Sequence, residues 1–253
     1  AIFCIQSLAF AHEPADYVNP SIGTSNYGAT FPGPIAPRGM ASISPFNVAG
    51  ALNKLEKDSQ WLSNPYVHEN TFLTGFSQVN LSGVGCPDLG VLLLMPTTGE
   101  LETNHLKYGS TYKNEVAKAG YYSTHIDKYD IKAEFTASKR VGVSKFTFPN
   151  GQANVLLNLG LGLTNEQGAM VQVVSSTEIQ GMRSVGTFCY NSPEAAYPVY
   201  FVAKFSKPAD RFGVWKKPAK YEGTEAQWMA YNGKNRLMEQ STKMVVGDSI
   251  GSY

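Results

Sequence analysis

From about residue 110 onward the side chains change character every second position, and that period limits the fold more than any motif does. In "YDIKAEFTA", Ile131, Ala133 and Phe135 alternate with Lys132, Glu134 and Thr136, the spacing of a half-buried strand. In "RVGVSKFTFP" the apolar parity changes from Val141 and Val143 to Phe146 and Phe148, which predicts a bulge near Ser144. "GYYSTHID", "ANVLLNLG", "VQVVSSTEIQG" and "YPVYFVAKFS" are further strand candidates, divided by glycine, proline and asparagine turn signals. Helical spacing is scarce: Leu52, Leu55 and Leu62 in "ALNKLEKDSQWLSNPY" supply one or two turns at most. Parallel βαβ units are therefore not expected. The pattern predicts an all-β, antiparallel two-sheet β-sandwich with long loops at one end. "SKPADRFGVWKKPAKYEGTE", with three prolines and a basic cluster, reads as an excursion off that sandwich.

The chain has 253 residues, 43% of them hydrophobic and 16% charged, enough apolar material for a large core and too much for disorder. Its 21 basic and 20 acidic residues nearly cancel, so there is no electrostatic footprint for nucleic acid. Fourteen Tyr, 13 Phe and 3 Trp suit sheets and sugar surfaces alike. At the start, "AIFCIQSLAFA" is apolar and closes on Ala9-Phe10-Ala11, as a signal peptide does before its cleavage site. Residues 1–11 are read as the remnant of such a signal and 12–253 as the mature, exported chain; a buried N-terminal strand is the other reading. The run is too short to span a bilayer. Cys4 would leave with the signal, and Cys86 and Cys189 would remain available to pair. The end at "KMVVGDSIGSY" reads as an interruption of a longer protein.

Several familiar motifs fail on context. "GDSIG" (247–251) fits the nucleophile-elbow spacing, yet His12, His68, His105 and His125 all precede Ser249, whereas that fold places its histidine after the serine. His68-Glu69 opens no H-E-x-x-H, and the cysteines have no C-x-x-C spacing, so zinc is not expected. "GLGLTNEQG" lacks the features of a phosphate loop. Asn80-Leu81-Ser82 fits an N-glycosylation acceptor, a match that chance supplies easily.

Three loops remain. "NPSIGTSNYGATFPGPIAPRGM" (19–40) is too rich in glycine and proline to be a regular element, and Ile22, Phe31, Ile35 and Met40 are expected to pin it to a core. "KDSQWLSNPY" offers Asp58 and Trp61. "GFSQVNLSGVGCPDLG" (75–90) sets four glycines among Asn80, Gly85, Cys86 and Asp88, directly before the apolar run "VLLLMP". Aromatic faces and short polar side chains on ordered loops hold sugars by stacking and by hydrogen bonds to hydroxyls. Phe31, Asp58, Trp61, Asn80, Gly85, Cys86 and Asp88 are the candidate substrate-binding residues. A purely structural role for each loop is the competing reading.

"VNPSIGT", "FPGPIAPRGM", "GFSQVNLSGVGCPDLG" and "GYYSTHIDKYDIKAEFTASKRVGVSKFTFP", in this order and spacing, resemble the N-terminal domain of glycoside hydrolase family 92. The resemblance runs over most of residues 17–253 and extends to "IQGMRS" and "YPVYFVAKFSKP". It implies a galactose-mutarotase-like supersandwich followed by a C-terminal (α/α)6 domain. The activity implied is that of a secreted, calcium-dependent, inverting exo-α-mannosidase acting on α-mannoside-containing glycans. Its active site lies at the domain junction, and the catalytic carboxylates and calcium belong mainly to the C-terminal domain. No catalytic residue and no metal ligand is therefore carried onto this chain, which alone is expected to be inactive. Ser21 stands where an aromatic is frequent in that family, Arg38 where Phe is frequent, and Gln78-Val79-Asn80 replace His-Thr-His; these departures bear on linkage preference. Two alternatives stay open on the sequence. One is a free-standing carbohydrate-binding sandwich without catalysis. The other is a mutarotase-like enzyme, which would need a His and Glu pair on one concave face, with His105 or His125 as candidates.

Overall fold

The structure is a computed structural model that describes residues 13–50, 52–57, 59–60, 62–83, 85–163, 168–186, 195–216, 236–237, 243–247 and 250–253. Within them every strand pairing is antiparallel, in three main sheets and a two-stranded ribbon. The largest sheet runs, in spatial order, through Ser44–Pro45, Phe76–Ser77, Leu93–Thr98, Ala153–Asn158, Ile250–Ser252, Val214–Lys216 and Arg236–Leu237. A five-stranded sheet runs through Gly142–Thr147, Ile131–Ala137, Tyr121–Ile126, Ser110–Lys118 and Phe72–Leu73. A four-stranded sheet runs through Tyr197–Lys204, Glu178–Val185, Ala169–Ser175 and Met244–Gly247.

The expected sandwich is present and is built on both faces of the largest sheet. Phe76, Met95, Leu156 and Trp215 pack against Tyr122, Ile131, Ala133 and Phe135 of the five-stranded sheet. Leu157, Val214 and Ile250, on the opposite parity, pack against Val171, Val173, Ile179 and Val245 of the four-stranded sheet. A middle layer covered on both sides has no polar face to alternate, which explains runs such as "VLLLM" and "VLL". Phe135 anchors the first core, with Phe76 at 4.4 Å and Phe146 edge-on at 6.0 Å between ring centroids.

Several expectations are corrected. The strand Gly142–Thr147 pairs with Ile131–Ala137 without a register break, so there is no bulge at Ser144. It is an edge strand whose outer face carries Val141 and Val143, both more than half exposed. Exposed valines mimicked a change of parity. No helix forms around Leu52, Leu55 and Leu62 in the described residues; Leu62 is buried and Leu52 is not. Within the supposed excursion, Val214–Lys216 is a strand of the middle sheet, and Trp215 is among its most buried side chains. The strand Ile250–Ser252 begins inside "GDSIG", where an elbow would need a helix after the serine; Ser249 itself, like the signal-like segment, lies outside the described residues.

Candidate functional site

The 19–40 loop is fixed by backbone hydrogen bonds more than by apolar pins. Of the four proposed anchors only Phe31 is buried; Ile22 is 73% exposed, Met40 62% and Ile35 41%. Instead the His68 N–H donates to the Thr24 carbonyl at 2.9 Å, and the Asn64 side chain donates to the Gly28 carbonyl. The Gly83 N–H donates to Ala29. The Asn26 N–H donates to Glu69 at 3.1 Å, and that bond is the main reason the Glu69 carboxyl titrates below its ordinary value. These contacts join the three loops singled out in the sequence into one platform.

Buried amides hold the middle loop in turn. Asn47 accepts from the Val67 N–H and donates to its carbonyl, both at 2.8 Å, and Asn70 donates to the carbonyls of Asn47 and Leu55. Paired in this way, the amides meet the requirement that buried polar groups find partners.

Beneath the 19–40 loop lies a recess of about 130 Å³ lined by Ser21, Pro32, Tyr66, His68, Glu115, Ala117 and Tyr122. A bulge brings Glu115 into it. The register of Ser110–Lys118 against Tyr121–Ile126 shifts between Lys113 and Val116, and Asn114 takes a left-handed φ of 55°. Glu115 and Ala117 are thereby brought into phase with the inward-facing Tyr112. Bulges commonly re-aim side chains in this manner.

The Glu115 carboxylate accepts from the Tyr66 hydroxyl at 3.0 Å and from the Tyr122 hydroxyl. Tyr66 also lies 3.4 Å from Nδ1 of His68. Burial first, and the nearby carboxylate and phenols next, push the Tyr66 and Tyr122 hydroxyls well above their ordinary range. They remain protonated donors, because an ionised phenol beside a carboxylate in a desolvated corner is disfavoured twice over.

The sequence candidates fall into three groups. Asn80 is buried and structural: its amide donates to the Ser42 carbonyl at 2.9 Å and accepts from the Ser77 hydroxyl at 2.6 Å. The same bonds make it a poor glycosylation acceptor. Phe31 and Asp88 are buried as well, with Asp88 accepting from the Leu89 N–H at 2.8 Å. Neither presents a free face on this domain. Gly85 is exposed and Cys86 half-buried on the rim, Cys86 as half of a disulfide. Asp58 and Trp61 lie outside the described residues. Of the two histidines weighed for a mutarotase-like pair, His125 lies 3.1 Å from Asp130 rather than against a glutamate.

Sequence reading missed Tyr66, His68, Glu115 and Tyr122. The available signal was in "STYKNEVAK", where the inward series Ser110, Tyr112 resumes as Ala117. Among the described residues no three His, Cys, Asp or Glu side chains gather to hold a metal ion. The recess also contains one carboxylate, where glycosidic cleavage ordinarily uses two. It can hold hydroxyl groups and cannot by itself hydrolyse a glycoside in that way.

The described residues thus form layered antiparallel sheets with ordered loops collected over a polar recess. The chain belongs to glycosyl hydrolase family 92: residues 17–246 match the Glycosyl hydrolase family 92 N-terminal domain. Among solved structures it is similar to a family GH92 α-mannosidase from Bacteroides thetaiotaomicron, with a TM-score of 0.75 and 28% identity over 94% of this chain and 30% of that one. A second mannosidase of that organism, described as inverting, shares the fold with a TM-score of 0.67 at 22% identity, over 96% of this chain and 29% of its own. An uncharacterized secreted glycosidase of Arthroderma benhamiae is 27% identical over 207 residues, 75% of this chain and 25% of the relative. The chain thus spans between a quarter and a third of the length of these relatives. No helix among the described residues is long and apolar enough to cross a membrane.

Proposed function

We propose that this chain is the N-terminal domain of an exported, exo-acting α-mannosidase that cleaves α-mannosidic linkages of glycans with inversion. Its loop platform forms one wall of a substrate pocket completed by a C-terminal (α/α)6 domain, which supplies the catalytic carboxylates and a calcium ion. The observation that carries this reading is the platform itself. Three loops are locked to one another by hydrogen bonds, and that ordered platform still exposes Ile22, Tyr27 (64%) and Met40. Exposed apolar side chains on a hydrogen-bonded loop suit a surface that another domain covers. Similarity to an α-mannosidase and to a fungal secreted glycosidase supports the substrate and the export.

The test is an assay for mannose released from an α-mannoside, with and without calcium. The 253-residue chain alone is expected to release none, since positioning without an acid and a base gives little rate. The protein in which this domain is followed by the C-terminal domain is expected to turn over. Calcium-dependent turnover by the chain alone would overturn the assignment.

A further inference from the structure

From the recess around Glu115 we infer a second sugar site: it takes the hydroxyl-bearing edge of one sugar ring of an α-mannoside, away from the bond that is cleaved. The inference rests on the α-mannoside reading above and deepens it. Every partner of the Glu115 carboxylate in the described residues is a phenol; no lysine, arginine or histidine forms an ion pair with it. A carboxylate offers about four lone-pair positions. The two tyrosine hydroxyls leave acceptor capacity directed at the recess.

The walls are mixed. Pro32 and Ala117 are apolar, while His68, Tyr66 and Ser21 supply polar atoms or edges. That combination fits a sugar, whose C–H groups and hydroxyls alternate around a ring. The space, about 130 Å³, is well under the roughly 300 Å³ at which pockets begin to enclose a whole small ligand. One edge of a hexose enters and the rest stays outside. Two hydroxyls can donate to Glu115, and the phenols already disperse its charge, so neutral donors suffice.

Ser21 controls access. It is half-buried, its side chain makes no hydrogen bond among the described residues, and it stands where the family resemblance places an aromatic residue. A phenyl ring at this position would fill the recess from the solvent side without touching the backbone bonds of the loop. The small serine is what leaves the recess open in this chain.

The experiment titrates the 253-residue chain with methyl α-mannopyranoside, methyl α-galactopyranoside and ethylammonium, each followed by NMR shifts at His68 and Ala117. Thermal melts are recorded in parallel. Saturable mannoside binding is expected, weakened at least tenfold by Glu115→Gln and by Ser21→Phe with the melting temperature held. The Gln carbonyl still accepts from both tyrosines; if that variant nevertheless fails to fold, Ser21→Phe decides alone. Mannoside binding untouched by either substitution sinks the recess and leaves the mannoside reading standing. Galactoside binding in place of mannoside, with the same dependence on Glu115, keeps the recess and removes the mannoside reading. Binding of ethylammonium alone, or of none of the three probes, overturns the inference.

Discussion

At the level of single residues, two glycines of the 75–90 stretch separate what the fold needs from what it leaves free. Gly90 has a φ of +63°, and a Cβ there would meet the Leu163 side chain at 2.9 Å and Phe46 at 3.3 Å. Gly90→Ala combines a left-handed backbone with overpacking, and is expected to cost about 1–3 kcal/mol in chemical denaturation; a variant as stable as the parent would show that the site relaxes freely. Gly85 is the opposite case. Its φ lies outside the left-handed region and a Cβ would meet nothing within 4 Å. Exposure and open space let a side chain stand there without strain, because a glycine's conformational freedom cannot be told from its position in a motif. The burial of Asn80 and Phe31 was hidden for a related reason. A short polar or aromatic side chain looks the same in sequence whether it faces a ligand or closes a buried hydrogen-bond set.

At the level of elements, the bulge at Asn114 is the device that builds the recess. Asn tolerates the left-handed region better than most residues, whereas a β-branched side chain does not. Asn114→Val is expected to lose about 1–2 kcal/mol, and Asn114→Gly to lose little; equal melting temperatures for the two would deny the strained geometry. The neighbouring strands carry a charge network on their solvent face. Glu134 accepts from the Tyr121 hydroxyl at 2.8 Å and pairs with Lys132 and Lys145, and in that order the hydroxyl and Lys132 lower its carboxyl from an ordinary 4.5 to about 2. The unfolded chain therefore takes up this proton first. The stabilisation is complete above about pH 4.5 and fades as the pH falls toward 2. An NMR titration should place the Glu134 midpoint near 2, and Glu134→Gln should flatten the acid limb of the melting curve. A midpoint near 4.5 would contradict the network. The strands themselves were legible because Ile131, Ala133 and Phe135 obey a simple period. The bulge was not, because one extra residue shifts the phase by a single step, and exposed valines on an edge strand imitate the same shift.

For the whole molecule, antiparallel strands around a large apolar core were readable from pattern. The doubling of the sandwich on a shared middle sheet was not, since Leu156 and Leu157 face different cores and differ in nothing local. The gathering of the three loops was also invisible: the bonds from Asn64 to Gly28 and from Gly83 to Ala29 join positions far apart in the chain. The central claim is that this loop end faces substrate. It is tested most directly by kcat/KM for an α-mannoside in the two-domain enzyme, measured for the parent and for Gly85→Val alongside their melting temperatures. A β-branched side chain at an exposed, unhindered position should leave the melting temperature unchanged. If the rim lines the pocket, kcat/KM falls at least tenfold, the signature of lost transition-state binding without lost fold. Parent-like kcat/KM at an unchanged melting temperature would contradict the account and leave the stretch from Gly75 to Gly90 a structural element alone.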